Sequence, residues 1–322
     1  MLQSTPAAQD ALPRPDFATW LAAVREEAIA RGIREDVVAR AFKGLEPLPV
    51  VVERDQAQPE FTLTIDQYLA RRLTPALVRR ARQQFRSHAT VLERAQARFG
   101  VDAATIVSIW ALESNFGRFS GIRPTVATLA TLAYDPRRST LFREELFHAL
   151  QIVDRGDVTL ERLRGSWAGA MGQPQFMPSS FQRYAIDFDG DSRKDIWTST
   201  SDVIGSIANY LKGQGWVEGQ RWGRRVRLPD IARVAELAVP RSAGCRAVRG
   251  LSEPRPLDEW RRAGVTLANG AMLPTSSQLA SLLEVDSQSY LVYLNYEAIL
   301  GYNCAHAYAL SVAQLADRIA GR

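Results

Sequence analysis

The sequence predicts a mainly α-helical fold with one small β-rich subdomain, and three observations carry that expectation. Apolar residues recur at helical spacing through most of the stretch from Pro75 to Gly215. From Trp216 to about Tyr293 the pattern gives way to short strand-favouring runs, VEGQRWGRRVRLP, GVTLANGAMLP and SYLVYLNY, with an Asn269-Gly270 turn among them. Tyr308 to Ile319 is again amphipathic and helical. With 322 residues and 46% hydrophobic content, the chain can bury a large core divided among several subdomains. The expected divisions are a helical N-terminal part at 14–85, a helical core at 86–215, a β-rich part at 216–293 and a closing segment at 294–322 that completes the core.

Taken in order, Asp16 to Phe42 reads as two amphipathic helices. Phe17, Trp20, Leu21 and Val24 share a face of the first, and Val37, Val38, Ala41 and Phe42 a face of the second. Gly44 to Phe61, rich in proline and β-branched residues, reads as an extended wrap. The segment DAATIVSIWALESNFG is a helix with Asp102 as N-cap, an apolar stripe through Ile106, Ile109 and Trp110, and Gly117 as its stop. From Gly165 to Phe181 runs GSWAGAMGQPQFMPSSF. Its glycines allow close backbone approach, its prolines fix turns and its aromatics supply flat apolar surface, as a loop that lines a ligand requires. As structure alone it is a tight link between helices, with Ser179 or Ser180 capping a helix that begins at Phe181. No internal repeat or low-complexity stretch is evident.

Charge and hydropathy narrow the partners. The formal charge of +5 is carried largely by arginine and suits an anionic polymer. Nucleic-acid binding needs a clustered basic stripe, and the short patches Arg221 to Arg227 and Arg79 to Arg82 read as solvated faces instead. No apolar run approaches membrane-spanning length.

Glu113 is the residue with the clearest chemical meaning. It follows Ile109 by four and Trp110 by three, which puts a carboxylate on the buried stripe beside a helix C-terminus. Burial and the negative end of the helix dipole both raise its pKa, and a carboxyl protonated near neutral pH meets the main requirement of a general acid. The helix alone equally allows a glutamate that snorkels or pairs with an arginine.

Together, the ESNFG helix end and GSWAGAMGQPQFMPS resemble the signatures of the lytic murein transglycosylase B family of bacterial cell-wall enzymes, glycoside hydrolase family 103. Those signatures run E-S-x-F-G, then G-S-x-A-G-A-M-G-x-x-Q-F-M-P-S. The resemblance extends from about Asp16 to the C-terminus and includes Pro59 to Phe61, the Arg137 and Arg138 pair, the aspartate-rich loop from Asp187, IGSIANYL and YNCAHAYAL. It implies a lysozyme-like helical core and makes Glu113 the single catalytic acid/base. Ser166 and Gln175 become the polar groups that hold the sugar. Tyr210, Tyr302, Asn303 and Tyr308 become the wall of the saccharide cleft, and Arg137 with Arg138 become contacts to the glycan or its peptide stem. Tyr68 is carried over on poorer surroundings. Ordinary packing remains an equal reading for Tyr210 and Tyr308.

The implied reaction cleaves the β-1,4 bond between N-acetylmuramic acid and N-acetylglucosamine, leaving 1,6-anhydromuramoyl ends. No cofactor is needed for that chemistry. The implied partners are peptidoglycan strands and, beyond them, proteins of cell-wall synthesis or remodelling. A hydrolytic muramidase would instead need a second carboxylate, for which Asp135 is nearest in sequence, and a non-catalytic wall-binding scaffold is the remaining rival. The start MLQSTPAAQDALPRPD lacks the features of a secretory signal. For a periplasmic enzyme the reading is that the signal has been removed.

In DFDGDSRKDIWTSTSD, Asp187, Asp189 and Asp191 hold the first, third and fifth positions of an EF-hand-like loop, with the Arg193 carbonyl at the seventh. Ser192 stands where the standard loop has glycine, and Thr198 where it has glutamate. The resembled family uses a longer loop with a late aspartate, which puts Asp202 in that role across 187–202. A structural calcium is expected, with sodium or an empty, solvated turn as the alternative. Cys245 and Cys304 are the two cysteines. An exported domain favours a bridge between them, while two buried thiols remain open.

Overall fold

A computed structural model describes residues 15–56, 63–136, 139–229 and 234–321. The chain forms two compact units, one from 1–57 and 123–169 and the other from 58–122 and 170–322. Among the described residues the fold is mainly α, with a small antiparallel sheet. No helix among them is long and apolar enough to cross a membrane.

The first unit holds helices α1 (Phe17–Ala30), α2 (Glu35–Phe42) and α3 (Pro49–Gln56). It continues as strand β1 (Arg123–Pro124), helices α8 (Thr125–Tyr134) and α9 (Ser139–Asp154) and strand β2 (Arg164–Gly165), which pairs with β1. The two amphipathic helices expected at the start are α1 and α2. The expected extended wrap is corrected by α3. Its Pro49 occupies the first helical turn, where a missing N–H costs nothing, and Val51 is fully buried. Residues 57–62, with the Pro59 to Phe61 segment, lie outside the described residues. Within this unit Arg31 bridges Glu27 and Glu144, each at 2.7 Å, and lies 4.0 Å above the Phe147 ring.

The second unit begins with α4 (Ile65–Arg72), α5 (Pro75–Ser87), α6 (Ala89–Phe99) and α7 (Ala103–Ser114). Thr64 and Gln67 form a reciprocal capping box that starts α4, and Thr74 caps α5 ahead of Pro75. Helix α7 differs from the expected amphipathic stripe because almost every residue from Ala103 to Ser114 is buried, Glu113 being partly open. A helix apolar on all sides belongs at the centre of a core. It packs against the last helix of the chain, His306–Ala320, and against α5 and α11 (Thr200–Gly213). Helix α10 (Pro178–Tyr184) starts earlier than expected, with Met177 at its N-cap and neither Ser179 nor Ser180 in that role, because Pro178 supplies the first helical position.

The β-rich part contains β3 (Gly223–Arg227), β4 (Arg255–Pro256), β5 (Thr266–Leu267), β6 (Leu279–Val285) and β7 (Gln288–Val292) in the order β4-β6-β7-β3-β5, all antiparallel. Its own core gathers Trp260, Leu257, Leu282, Leu291 and Tyr293. Cys245 and Cys304 are joined as a disulfide across 59 positions of sequence, just before helix His306–Ala320.

Candidate active site

Helix α7 ends after Ser114, ahead of the stop expected at Gly117, and each letter of ESNFG has a local reason. The Ser114 hydroxyl accepts the Gly117 N–H at 3.0 Å. Asn115, Phe116 and Gly117 then take three consecutive left-handed conformations, with φ of 49°, 61° and 81°. Asparagine tolerates that region and glycine occupies it freely, whereas Phe116 is strained there and is held edge-on against Trp110 at 5.1 Å. A Cβ at Gly117 would lie 2.7 Å from the Gln173 amide, so only glycine fits.

That close approach joins the helix end to the Gly-rich loop. Gln173 Oε1 accepts the Trp110 indole N–H at 2.7 Å, and its Nε2 donates to the Trp197 carbonyl at 2.9 Å. Met171 and Phe176 pair as an antiparallel bridge and close a tight turn over 172–175. Gly172 sits in it where a Cβ would meet the Ile196 carbonyl at 2.7 Å. Gln175 is left-handed at φ 55° and donates Nε2 to Gly172 O at 2.7 Å and Ser120 O at 3.1 Å.

Glu113 faces a cavity of about 460 Å³ that Arg72, Arg80, Asn115 and Phe119 also line. Lost hydration pushes its pKa from 4.5 up to about 7, against smaller downward pulls from the Tyr308 hydroxyl and the Arg72 guanidinium. Arg72 is fixed there by donating Nη2 to the Leu112 carbonyl, and Arg80 donates to Asn115 Oδ1 at 2.9 Å. The Tyr308 hydroxyl is buried and makes no aligned hydrogen bond among the described residues, although it lies near enough to act on Glu113.

Three of the expected cleft tyrosines form one ladder. Tyr210 and Tyr302 lie 4.5 Å apart, Tyr302 and Tyr308 stack at 6.4 Å, and Tyr184 continues the row 4.4 Å from Tyr210. The Tyr210 hydroxyl donates to Gly301 O at 2.9 Å and that of Tyr302 to Pro174 O at 2.6 Å. Asn303 is exposed at the C-cap of helix Leu294–Tyr302, and Tyr68 is half-buried on α4. Ser166 and Asp135 belong to the other unit. There Ser166 Oγ accepts the Ala168 N–H at 3.3 Å, and Asp135 caps the end of α8. Arg137 and Arg138 lie outside the described residues. Sequence reasoning missed Gln173 and Arg72. The resembled motif leaves position 173 open, and the pairing of Arg72 with Leu112 spans 40 positions, so neither has a local signal.

In the aspartate loop, carboxylate oxygens of Asp187, Asp189 and Asp202 lie within 4.8 Å of one another, a spacing one cation can bridge with bonds of about 2.3–2.6 Å. Asp202 is fully buried, and burial raises its pKa even though it accepts N–H groups from Phe188 and Asp195 at 2.7 Å. This hard-oxygen set fits calcium. Asp191 is not in the cluster. Its carboxylate is held by the Arg193 guanidinium at 2.7 Å, across the left-handed Ser192.

The match to the transglycosylase SLT domain family runs over residues 16–317. The chain belongs to that family. It is 34% identical over 260 residues to the membrane-bound lytic murein transglycosylase B of Escherichia coli (strain K12), an alignment covering 79% of this chain and 66% of that relative. The fold matches the crystal structure of SltB3 from Pseudomonas aeruginosa in complex with NAG-anhNAM-pentapeptide, with TM-score 0.86 and 44% identity over 95% of this chain and 80% of that one. It also matches the Escherichia coli lytic transglycosylase Slt35 in complex with calcium, with TM-score 0.75 and 28% identity over 97% of this chain and 94% of that one.

Proposed function

We propose that this chain is a lytic transglycosylase of peptidoglycan, cleaving between N-acetylmuramic acid and N-acetylglucosamine with Glu113 as both acid and base. One observation carries the reading. Glu113 is the only carboxylate lining its cavity among the described residues, and its pKa lies near neutrality. Most glycosidases place two carboxylates about the scissile bond, so a lone acid points to chemistry in which the substrate supplies the nucleophile.

The protonated Glu113 gives its proton to the glycosidic oxygen as the bond from C1 of the muramoyl residue breaks. The muramoyl acetamido group stabilises the cationic centre. Glu113, now a carboxylate, takes the proton from the sugar's own 6-hydroxyl as that oxygen bonds to C1. The products are a free 4-hydroxyl and a 1,6-anhydro end, and no water is consumed. Arg72 and Tyr308 moderate the cost of the carboxylate between the two proton transfers. In this reading Ser166 and Gln175 position the sugar, Tyr68, Tyr210, Tyr302, Asn303 and Tyr308 border it, and Arg137 with Arg138 meet the glycan or its stem.

Calcium held by Asp187, Asp189 and Asp202 would brace the loop and contributes no step. The substrate places the protein outside the cytoplasmic membrane, in the periplasm. Mass spectrometry of digested sacculi tests the reaction. Anhydro ends, one water lighter than hydrolysed ends, are expected from the wild type and absent with Glu113→Gln. Reducing muramic acid ends as the main product would refute it in favour of a muramidase.

A further inference from the structure

The arginines in and just before β3 look like a solvated face in sequence, yet the fold gives them a concave setting. Arg221, Arg224 and Arg225, together with Arg318 from the last helix, line a cavity of about 480 Å³ whose aromatic surface is Trp222 and Tyr290. Two carboxylates share the wall, and both are engaged by neutral donors. Asp66 accepts from the Gln288 amide, and Asp317 accepts the Trp222 indole N–H at 2.9 Å. Arg224 is steered by the Tyr293 hydroxyl at 2.7 Å and Arg318 by the Leu73 carbonyl at 3.0 Å. Arg221 and Arg225 have no carboxylate partner among the described residues. The cavity therefore holds more cations than anions. Guanidinium groups are the side chains best shaped to take carboxylates through paired N–H donors.

Its position is also informative. Helix α4 turns Leu69 and Ala70 toward this cavity and Arg71 and Arg72 toward the one that holds Glu113. A single two-turn helix separates the two. Trp222 is braced beside Tyr290 and Tyr296 at 5.9 and 6.1 Å, so its indole is a fixed flat surface of the kind a sugar ring packs on.

We propose that the cavity between β3, α4 and the last helix is a second, non-catalytic site for peptidoglycan, in which Arg221 and Arg225 pair with stem-peptide carboxylates. This inference rests on the peptidoglycan reading given above. The test is co-sedimentation with purified sacculi, using the Glu113→Gln protein alone, with Arg221→Glu and Arg225→Glu added, or with Lys212→Glu and Arg262→Glu added. The second pair is exposed, lies outside both cavities and changes net charge equally. Circular dichroism confirms folding of each.

The site pair is expected to weaken binding about tenfold, and the control pair less than about twofold, as two exposed charge pairs would. The difference should vanish on glycan stripped of its stems by an amidase, and the site pair in a Glu113-intact background should cleave that stripped glycan normally. Equal weakening by both pairs, no weakening, or a difference that persists on stripped glycan overturns the proposal while leaving the catalytic reading in place. A wild-type protein that releases no anhydro ends overturns both.

Discussion

Replacing Glu113 with glutamine is expected to stabilise the protein in alkaline solution while it abolishes turnover. Burial raises the Glu113 pKa from 4.5, its value in the unfolded chain, to about 7 in the folded one. Below about pH 4.5 the group is protonated in both states and imposes no penalty. Between the two values the unfolded chain has released a proton that the folded one still holds, so stability falls as pH rises. Above about pH 7 the folded state carries the charge and the loss is complete. At about 1.4 kcal/mol for each tenfold change in a protonation equilibrium, the full penalty is about 3 kcal/mol. Glutamine has nearly the same shape and no charge to bury, so the variant escapes it. Urea unfolding of both proteins at about pH 4 and about pH 8 measures the effect. The variant should match the wild type in acid and exceed it by up to about 3 kcal/mol in base. Equal stabilities at both pH values would mean that Glu113 is not held as argued, and the case for its being the acid would lose its physical basis.

Turnover should fall as pH rises through about 7, where Glu113 loses its proton, and Arg72→Met should move that descending limb to higher pH because the guanidinium favours the carboxylate. An unmoved limb would remove Arg72 from the site. Gln173→Ala strands the buried Trp110 N–H and opens a void, and should cost about 2–3 kcal/mol in urea unfolding; a loss under about 0.5 kcal/mol, the ordinary surface value, would show that Gln173 is no junction. Calcium at about 100 times its dissociation constant should add about 2.7 kcal/mol to the wild type and almost nothing to Asp189→Asn. Superimposable wild-type melting curves with chelator and with calcium would refute that ion site.

Where a residue's meaning depended on its near neighbours, the sequence was legible. The start of α7 after Asp102 and the place of Glu113 near its C-terminal end follow from spacing, whereas the stop expected at Gly117 comes three residues earlier, because Asn115 already takes the left-handed conformation that ends the helix after Ser114. Helix α3 was misread because proline and valine suggest extended chain, while Pro49 falls at the one helical position that tolerates it and the burial of Val51 supplies the rest. Gln173 and Arg72 were invisible for another reason. Their partners are 63 and 40 positions away, and no local pattern encodes such a contact. In the aspartate loop the short spacing brings Asp187 and Asp189 together, whereas the approach of Asp202 from 13 positions on and the pairing of Asp191 with Arg193 have no local signal.

The tyrosine ladder bears on how a polymer can be handled repeatedly. Tyr210 and Tyr302 have committed their hydroxyls to main-chain carbonyls, so their rings lost rotational freedom when the chain folded. In the proposed reaction a sugar arriving beside them would meet a relief already set, with no ordering entropy charged to each encounter. Tyr308 alone keeps its hydroxyl uncommitted, close to the carboxyl that in the proposed reaction gains and loses a proton in every cycle. Rigid recognition and adjustable chemistry thus fall to different members of one row, and exchanging Tyr210 or Tyr302 for phenylalanine would loosen the first without touching the second.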